Sequence, residues 1–234
     1  MKEIPFRVQQ TTALEKWRVE TFWDKEPETI NWISCFRPGD TFLDIGANIG
    51  LYSLYAAKRG AVVTAIEPHK ANFNALALNT RLLNRALGVR TIWAAVGAER
   101  GTVHFQYDEC SAGCTGGQIE RSEDPKTPIY CWTVDALSET YGPFDHIKID
   151  VDGLEKDIVA GMAMNLSRMD FSSCLIEVGP DDKDFIIDRF EEAGYSLDSP
   201  LNFVVPHSRF RRAEEGIDVE NLIFVRGDLC NRLA

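Results

Sequence analysis

The pattern of hydrophobic and polar positions is clearest at residues 41–50, which have the sequence T-F-L-D-I-G-A-N-I-G. The apolar run there carries a single carboxylate, Asp44, and is typical of a buried strand that ends at a glycine turn. The amphipathic run 51–59 predicts a helix, and the apolar run 61–66 predicts a second strand that ends at the acid Glu67. Strand, glycine turn, helix, strand and acid form the layout of a nucleotide-binding βαβ unit.

The rest of the chain alternates between predicted helices and strands, as expected for one sizeable α/β domain. A helix that starts at Glu26-Pro27-Glu28 and stops at Pro38-Gly39 precedes the βαβ unit. Further helices are predicted at 70–83, 154–162 and 181–193, and further strands at 89–96, 103–107, 130–137 (turning into a short helix), 146–151, 173–178, 197–205 and 221–225. The run 110–128 is rich in glycine, serine, charge and proline, and predicts a long loop that either contacts the substrate or is disordered.

The glycine spacing argues against a dinucleotide cofactor. A dinucleotide site uses G-x-G-x-x-G, and Asn48 stands where the second glycine would be. Asp44, two residues before Gly46, would repel a pyrophosphate but suits a ligand with an ammonium group. S-adenosylmethionine has an ammonium, a sulfonium and a ribose diol, and no phosphate. We therefore expect Asp44 to face its methionine end, directly or through water, and Glu67 to accept both ribose hydroxyls; the alternative is a βαβ unit with two incidental acids.

Other residues near this turn extend the predicted cofactor site. Asn72 starts the next helix close to the ribose end, and the carboxyl end of the third strand, Ala95 and Val96, should lie beside the adenine. Ala47 and Pro68 complete the predicted set. The tryptophans of the N-terminal region are expected to be packing anchors, with the alternative that part of residues 17–23 closes over the cofactor.

A second informative stretch, H-I-K-I-D-V-D-G, covers residues 146–153. In a strand, Lys148, Asp150 and Asp152 share one face, and three charges on a central strand are costly unless they meet a ligand, a metal or one another. The crevice beyond the strand ends accounts for them. Two structural alternatives stand beside this: Asp152 with Glu155 forms a helix-capping pair, and Lys148 simply neutralises Asp150.

Three motifs together resemble the FkbM family of S-adenosylmethionine-dependent methyltransferases: F-L-D-I-G-A-N-I-G-L-Y-S-L, then I-E-P followed by asparagines, then I-K-I-D-V-D-G-L-E. The resemblance covers about residues 38–179. It implies a Rossmann-like class I methyltransferase fold, a doubly wound sheet of seven strands with the last antiparallel. It also implies O-methylation of a hydroxyl on a sugar, macrolide or other small molecule. Family members often have Glu where this chain has Asp152, which keeps the charge but shortens the reach.

Matching these motifs residue by residue assigns cofactor contacts to Asp44, Gly46, Asn48, Gly50 and Glu67. Methyl transfer from a sulfonium depends mainly on positioning, but a hydroxyl acceptor must also lose its proton to a base.

Asp150 and Asp152 are the candidate bases, with Lys148 lowering their pKa or orienting the acceptor. The clustered carboxylates alternatively hold Mg²⁺, and the spacing does not decide between these roles.

Composition narrows the partners and the location. The net charge of −11 argues against nucleic acid and anionic membranes as main partners. No apolar run approaches the ~20 residues of a membrane span, and the N-terminus has no signal-peptide pattern. The six cysteines form no C-x-x-C pair, which favours free thiols in a reducing cytoplasm, with a zinc site at Cys110, Cys114 and Cys131 as the alternative.

We therefore expect residues 1–37 to form an N-terminal helical extension and residues 38–234 to form the methyltransferase domain. A cytoplasmic O-methyltransferase with a small-molecule or saccharide acceptor is the main hypothesis. A protein that binds S-adenosylmethionine without catalysis is the alternative, and an NAD-dependent oxidoreductase is disfavoured by Asn48 and Asp44.

Overall fold

The structure is a computed structural model that describes residues 3–106, 112–113, 118–120, 128–151, 153–197 and 219–226 of the chain. Strands and helices alternate along much of it. The strands are β1 (Thr41–Ile45), β2 (Val62–Ile66), β3 (Arg90–Ile92), β4 (Ala95–Val96), β5 (Gly101–Gln106), β6 (Gln118–Glu120), β7 (Pro128–Trp132), β8 (His146–Ile149), β9 (Ser173–Val178), β10 (Ser196–Leu197) and β11 (Glu220–Val225).

The helices flank these strands, and the fourth continues into a π-helical turn, Leu78–Leu83, and a short 3₁₀ turn, Arg85–Leu87. They are α1 (Ala13–Glu20), α2 (Pro27–Ser34), α3 (Leu51–Lys58), α4 (Lys70–Ala77), α5 (Val134–Tyr141), α6 (Glu155–Ala160), α7 (Ala163–Arg168) and α8 (Lys183–Glu192). Among the residues that the structure describes, no helix has the length and apolar character needed to cross a membrane.

In the described part of the chain, seven strands form one sheet in the order β10-β11-β9-β8-β1-β2-β3. Neighbouring strands from β9 to β3 run parallel, and β11 is antiparallel to both β9 and β10. The expected seven-stranded sheet with its last strand antiparallel is confirmed. The strand order reverses between β1 and β8, and ligands of open α/β sheets bind at such a point, beyond the carboxyl ends of the strands.

The two faces of the sheet carry different cores. Leu43 and Ile45 of β1 join the apolar cluster beneath α5 to α8, whereas Phe42 joins the cluster covered by α2 and α3. Because side chains alternate along a strand, Asp44 lies on the Phe42 face. The parallel register places Lys148 of β8 opposite Asp44, so two charged side chains lie side by side inside the sheet on the face that the N-terminal helices cover.

The N-terminal helices pack on this same face. A capping box between Thr12 and Glu15 starts α1, and Pro27 occupies the first turn of α2. Trp32 of α2 is fully buried, and its indole Nε1 donates a hydrogen bond to Ser173 Oγ at 2.8 Å. The packing role expected for this tryptophan therefore agrees with its position in the core.

The prediction of one continuous strand at 89–96 is wrong. The strand β3 ends at Ile92. After a gap of two residues the chain enters β4, which belongs to a second sheet of order β4-β7-β5-β6. Ala95 pairs there with Cys131 and is buried in a small apolar cluster of its own. The reason is long-range pairing. Ala95 pairs with a residue of β7 that lies 36 positions further along the chain, and this pairing places it in the second sheet instead of the large one.

Three smaller differences concern element boundaries. The helix predicted at 154–162 is α6, and a further helix that was not predicted, α7, follows the buried Met162. The strand β6 lies inside the run 110–128, which was predicted to be a loop. Only the first residue of the strand predicted at 197–205 lies within the described residues.

Candidate functional site

The glycine turn after β1 has a backbone that few other sequences could adopt. Gly46, Asn48 and Gly50 all have positive φ angles, of +78°, +51° and +90°. A Cβ atom added at Gly46 would lie 1.8 Å from the backbone oxygen of Asp150, so a larger residue there would collide with the chain that follows β8. The turn therefore packs directly on the carboxyl end of β8, and the two sequence motifs meet in space.

Glu67 connects the tip of β2 to this turn. Its carboxylate accepts hydrogen bonds from the backbone N–H groups of Asn48 and His69, both at 2.8 Å. Burial raises the pKa of Glu67 to about 7, against hydrogen bonds from His69, Asn48 and Asn72 that lower it. A carboxylate has about four acceptor sites, so these three protein donors leave Glu67 capacity for about one further donor.

Asp44 is almost completely buried behind the turn. Ser53 Oγ donates to its Oδ2 at 2.5 Å, whereas its Oδ1 has no hydrogen-bond partner among the described residues. Burial raises the pKa of Asp44, while the charge of Lys148 and the bond from Ser53 oppose that rise. This unsatisfied carboxylate oxygen therefore lies on β1, next to Lys148 of β8 and two residues before Gly46 of the glycine turn.

An open cleft with an empty volume of about 430 Å³ lies over the turn. That volume includes solvent-filled space at the open mouth of the cleft. Four parts of the chain form its wall: residues 46–49 of the turn, Leu51 and Tyr52 of α3, Lys148 and Asp150 at the end of β8, and Arg18, Phe22, Lys25 and Glu26 of the N-terminal region.

Lys148 and Asp150 form an ion pair, with 2.5 Å between Nζ and Oδ2. Lys148 is fully buried, but the negative charges of Asp150, Asp44 and Glu26 outweigh burial and raise its pKa above the ordinary value. The lysine is therefore a fixed positive charge. This geometry agrees with the structural alternative from the sequence, in which Lys148 neutralises the charge of Asp150.

Glu26 is a functional-site candidate that sequence reasoning missed. It is buried, its Oε1 receives a hydrogen bond from Lys25, and Thr29 Oγ1 donates to its Oε2 at 3.1 Å. Burial alone would raise its pKa, but the charges of Lys25 and Lys148 and the hydrogen bonds from Lys25 and Tyr52 lower it to about 2. The sequence shows only an acid before a helix-starting proline, and nothing local marks its long-range contact with Tyr52.

Asn72, predicted near the ribose, is buried beside Glu67 and accepts a hydrogen bond from Gly113 N at 2.8 Å. Gly113 also binds α1, because Arg18 Nε donates a hydrogen bond to its backbone oxygen at 2.6 Å. Asn72 therefore links the helix after β2 to α1 through this short turn.

The other predicted residues fall into three groups. Pro68 follows Glu67, and its backbone oxygen accepts a hydrogen bond from Trp93 Nε1 at 2.9 Å. Ala95 and Val96 are buried in the second sheet, and their expected position at the end of a strand of the large sheet is wrong for the reason given above. Asp152 lies outside the described residues.

No metal centre is evident in the part of the chain that the structure describes, where no group of three or more His, Cys, Asp or Glu side chains is arranged to hold an ion. Cys131 is buried, and the other two cysteines of the zinc alternative, Cys110 and Cys114, lie outside the described residues. The Mg²⁺ alternative stays a prediction.

A comparison with protein-family models now identifies the chain. The model described as the methyltransferase FkbM domain matches residues 44–197, well over half of the sequence. The chain belongs to the FkbM methyltransferase family. By family and fold it is an S-adenosylmethionine-dependent methyltransferase, and the resemblance seen in its motifs is confirmed.

Two solved structures with TM-scores above 0.5 share the fold of this FkbM methyltransferase. Magnesium protoporphyrin IX methyltransferase from Synechocystis, with bound S-adenosylmethionine, is 13% identical over 94% of this chain and 86% of that one, with a TM-score of 0.54. The same enzyme with S-adenosylhomocysteine gives 13% identity, 94% and 90% coverage and a TM-score of 0.52. A putative RNA methyltransferase from Pyrococcus horikoshii is 12% identical over 97% of this chain and 92% of that chain, with a TM-score of 0.44. No curated protein sequence matches the chain.

The family match begins at Asp44, so it leaves out part of the cleft. Arg18, Phe22, Lys25 and Glu26 all precede that residue, yet they form one side of the wall over the glycine turn. This FkbM methyltransferase therefore builds its cleft partly from residues that lie outside the matched domain.

Proposed function

We propose that this FkbM methyltransferase transfers the methyl group of S-adenosylmethionine to a hydroxyl of a small molecule or sugar. The observation that carries this proposal is the pair of buried acids, Asp44 and Glu67, on the two sides of one glycine turn beside a cleft. The cleft lies over the glycine turn where the cofactor would bind, and the net charge of −11 disfavours a nucleic-acid acceptor.

Each acid has a feature that fits the cofactor. Glu67 accepts hydrogen bonds from Asn48, His69 and Asn72, and the two ribose hydroxyls would take its remaining acceptor site and that of the Asn72 amide. Among the described residues Asp44 Oδ1 has no hydrogen-bond partner, and an ammonium group or a water bound to it would satisfy that oxygen. Gly46, Ala47 and Gly50 supply backbone without obstruction along the turn.

The remaining proposed cofactor contacts are to the adenosine part of the molecule. Pro68 and Asn72 come directly after Glu67 and lie on the adenosine side. Ala95 and Val96 are proposed to back the adenine from within the second sheet, since β4 follows the end of β3 by only two residues.

The protein contributes to the reaction by positioning the acceptor against the methyl group and by excluding water. The cofactor supplies a methyl group already activated by a sulfonium, so displacement in line needs orientation more than chemical activation. We propose that Lys148 and Asp150 orient the acceptor from the end of β8, with Asp152 adjacent. The N-terminal extension, residues 1–37, closes the cleft from the opposite side through Arg18 and Glu26.

Calorimetry tests the cofactor site. Wild-type protein should bind S-adenosylhomocysteine but not NAD, and Glu67→Gln or Asp44→Asn should weaken that binding by at least about tenfold. Asp188→Asn, which changes an exposed acid on α8, is the matched control and should bind as wild type does. Equal affinity in all four proteins would contradict the site.

Mass spectrometry tests the reaction. A metabolite extract incubated with the protein and isotopically labelled S-adenosylmethionine should yield a labelled product whose methyl group is attached to oxygen. Label on nitrogen or carbon would contradict O-methylation. Binding of the cofactor without label in any compound would favour the non-catalytic alternative.

A further inference from the structure

Glu177 lies at the carboxyl end of β9, beside the end of β8. Ile149 pairs with Ile176 in the parallel register, so the next residues, Asp150 and Glu177, follow side by side at this edge of the sheet. On the other side, β11 places Asn221 opposite Glu177. Glu177 is therefore on the edge where α/β sheets bind their ligands, next to a residue that lines the cleft.

The side chain of Glu177 belongs to the face of the sheet that the N-terminal helices cover. Leu175, two residues earlier on β9, is in the apolar cluster beneath α2 and α3, and alternation along a strand puts Glu177 on the same face. Lys148 pairs with Leu175, so it lies one row further from the edge on this face. Glu177 therefore faces the same space as the Lys148–Asp150 ion pair.

The polar and charged side chains near Glu177 already form hydrogen bonds or ion pairs with other residues. Asp150 is paired with Lys148, and Glu26 accepts bonds from Lys25. Asn221 donates its side-chain amide to Glu28 instead of Glu177, at 3.0 Å. The side chain of Glu177 has no hydrogen bond or ion pair with any residue in the described ranges, although it is partly buried.

The surroundings of Glu177 favour its protonated form. Burial is the main cause, and the anions Asp150 at the end of β8 and Glu26 before α2 add to it. The cations Lys25 and Lys148 offset only part of this effect, and the pKa of Glu177 rises to about 8. A base whose pKa lies near neutrality accepts a proton more readily than an ordinary carboxylate and is still partly ionised at neutral pH.

We propose that Glu177 receives the hydroxyl proton of the methyl acceptor, an assignment that rests on the O-methyltransferase function proposed above. The acceptor oxygen forms a bond to the methyl carbon, and the carbon–sulfur bond breaks with its electron pair staying on sulfur. The O–H proton passes to the Glu177 carboxylate, which later releases it to solvent. Asp150, held by Lys148, then orients the acceptor instead of taking its proton.

The test uses two cofactor analogues, so it needs no known acceptor. Sinefungin carries an ammonium group where S-adenosylmethionine has its methylsulfonium, and S-adenosylhomocysteine lacks that group. If Glu177 faces the transferred methyl, calorimetry should show that Glu177→Gln lowers sinefungin affinity by about tenfold and leaves S-adenosylhomocysteine affinity within about twofold. Glu191→Gln, an exposed glutamate of α8, is the control and should change neither.

The wild-type protein gives a second measurement that does not depend on the variant folding. Its preference for sinefungin over S-adenosylhomocysteine should rise between about pH 6.5 and 8.5 as Glu177 ionises, and the rise should be absent in Glu177→Gln. A preference that is flat with pH in wild type, or unchanged in the variant, overturns the role of Glu177. Failure of the wild-type protein to bind either analogue overturns the proposed function itself.

Discussion

Lys148 and Asp150 form an ion pair at the carboxyl end of β8, directly beneath the glycine turn that follows β1. The pair joins the two sequence motifs of the family in one place, because Gly46 packs on the backbone of Asp150 while Lys148 lies opposite Asp44 in the sheet. Its lysine also balances Glu26 from the N-terminal region. The ion pair is thus both a support of the fold and a wall of the cleft.

Replacing Lys148 should be strongly destabilising. Lys148→Met would remove the ion-pair partner of Asp150 and the positive charge beside buried Asp44, and breaking a buried ion pair costs about 3–5 kcal/mol. Denaturant unfolding measures this loss. Lys156→Met is the matched control, because Lys156 is exposed and pairs with Asp182 at the surface, and it should cost less than about 1 kcal/mol. Similar losses in both variants would show that Lys148 has no special role.

Gly46→Ala should damage the fold more than Gly88→Ala. Both glycines have positive φ angles, +78° and +67°, but only at Gly46 would a new Cβ lie 1.8 Å from a backbone oxygen, whereas nothing lies within 4 Å at Gly88. The left-handed conformation alone costs roughly 1–2 kcal/mol for alanine, and the collision adds to it. Unfolding free energies and S-adenosylhomocysteine affinity measure the difference. Equal effects at the two positions would contradict the close packing on Asp150.

The pH dependence of cofactor binding should report the ionisation of Glu67. Burial raises its pKa to about 7, so the free carboxyl is partly protonated at neutral pH. The ribose hydroxyls need an ionised acceptor, and S-adenosylhomocysteine affinity should therefore increase as pH rises from about 6 to 8. Calorimetry of Glu67→Gln over the same range should show weaker binding without that increase. An equal slope in both proteins would exclude Glu67 as the titrating group.

His146 should make stability fall at acid pH. Its Nδ1 lies 2.8 Å from Ser173 Oγ and its Nε2 lies 3.1 Å from Asp40 Oδ2. Burial lowers the pKa of His146 despite Asp40, so the folded state keeps the ring neutral while the unfolded chain protonates at its ordinary value, 6.5. Stability from this group is complete above that value and is lost as pH falls below it. Thermal unfolding should show a smaller acid loss in His146→Gln, and an identical pH profile would contradict this.

The Ser173–His146–Asp40 arrangement resembles a catalytic triad in composition, but its position argues for a structural role. His146 and Ser173 are the first residues of β8 and β9, at the end of the sheet opposite the cleft, and Ser173 is fully buried. Trp32 donates to the same serine oxygen. The network therefore fixes α2 to the sheet.

The parts of the fold that could be predicted are those whose pattern is local. Residues 41–50 contain a complete strand and turn, and residues 146–151 alternate strictly, so both elements and their meeting at one sheet edge followed from spacing. The second sheet could not be predicted, because Ala95 is assigned to it by pairing with Cys131 far along the chain.

The candidate site shows the same limit. Asp44, Glu67 and Lys148 lie within recognisable motifs, whereas Glu26 and Glu177 matter through neighbours from other elements. An acid before a proline and an acid near a strand end are common, and only the three-dimensional arrangement shows which charges surround them.

A crystal structure with S-adenosylhomocysteine tests the central claim most directly. The account predicts that the two ribose hydroxyls bind the Glu67 carboxylate and the Asn72 amide, and that the amino group lies over the glycine turn, connected to Asp44 Oδ1 directly or through a water molecule. A nucleoside bound elsewhere, or a Glu67 side chain turned away from the ribose, would contradict it.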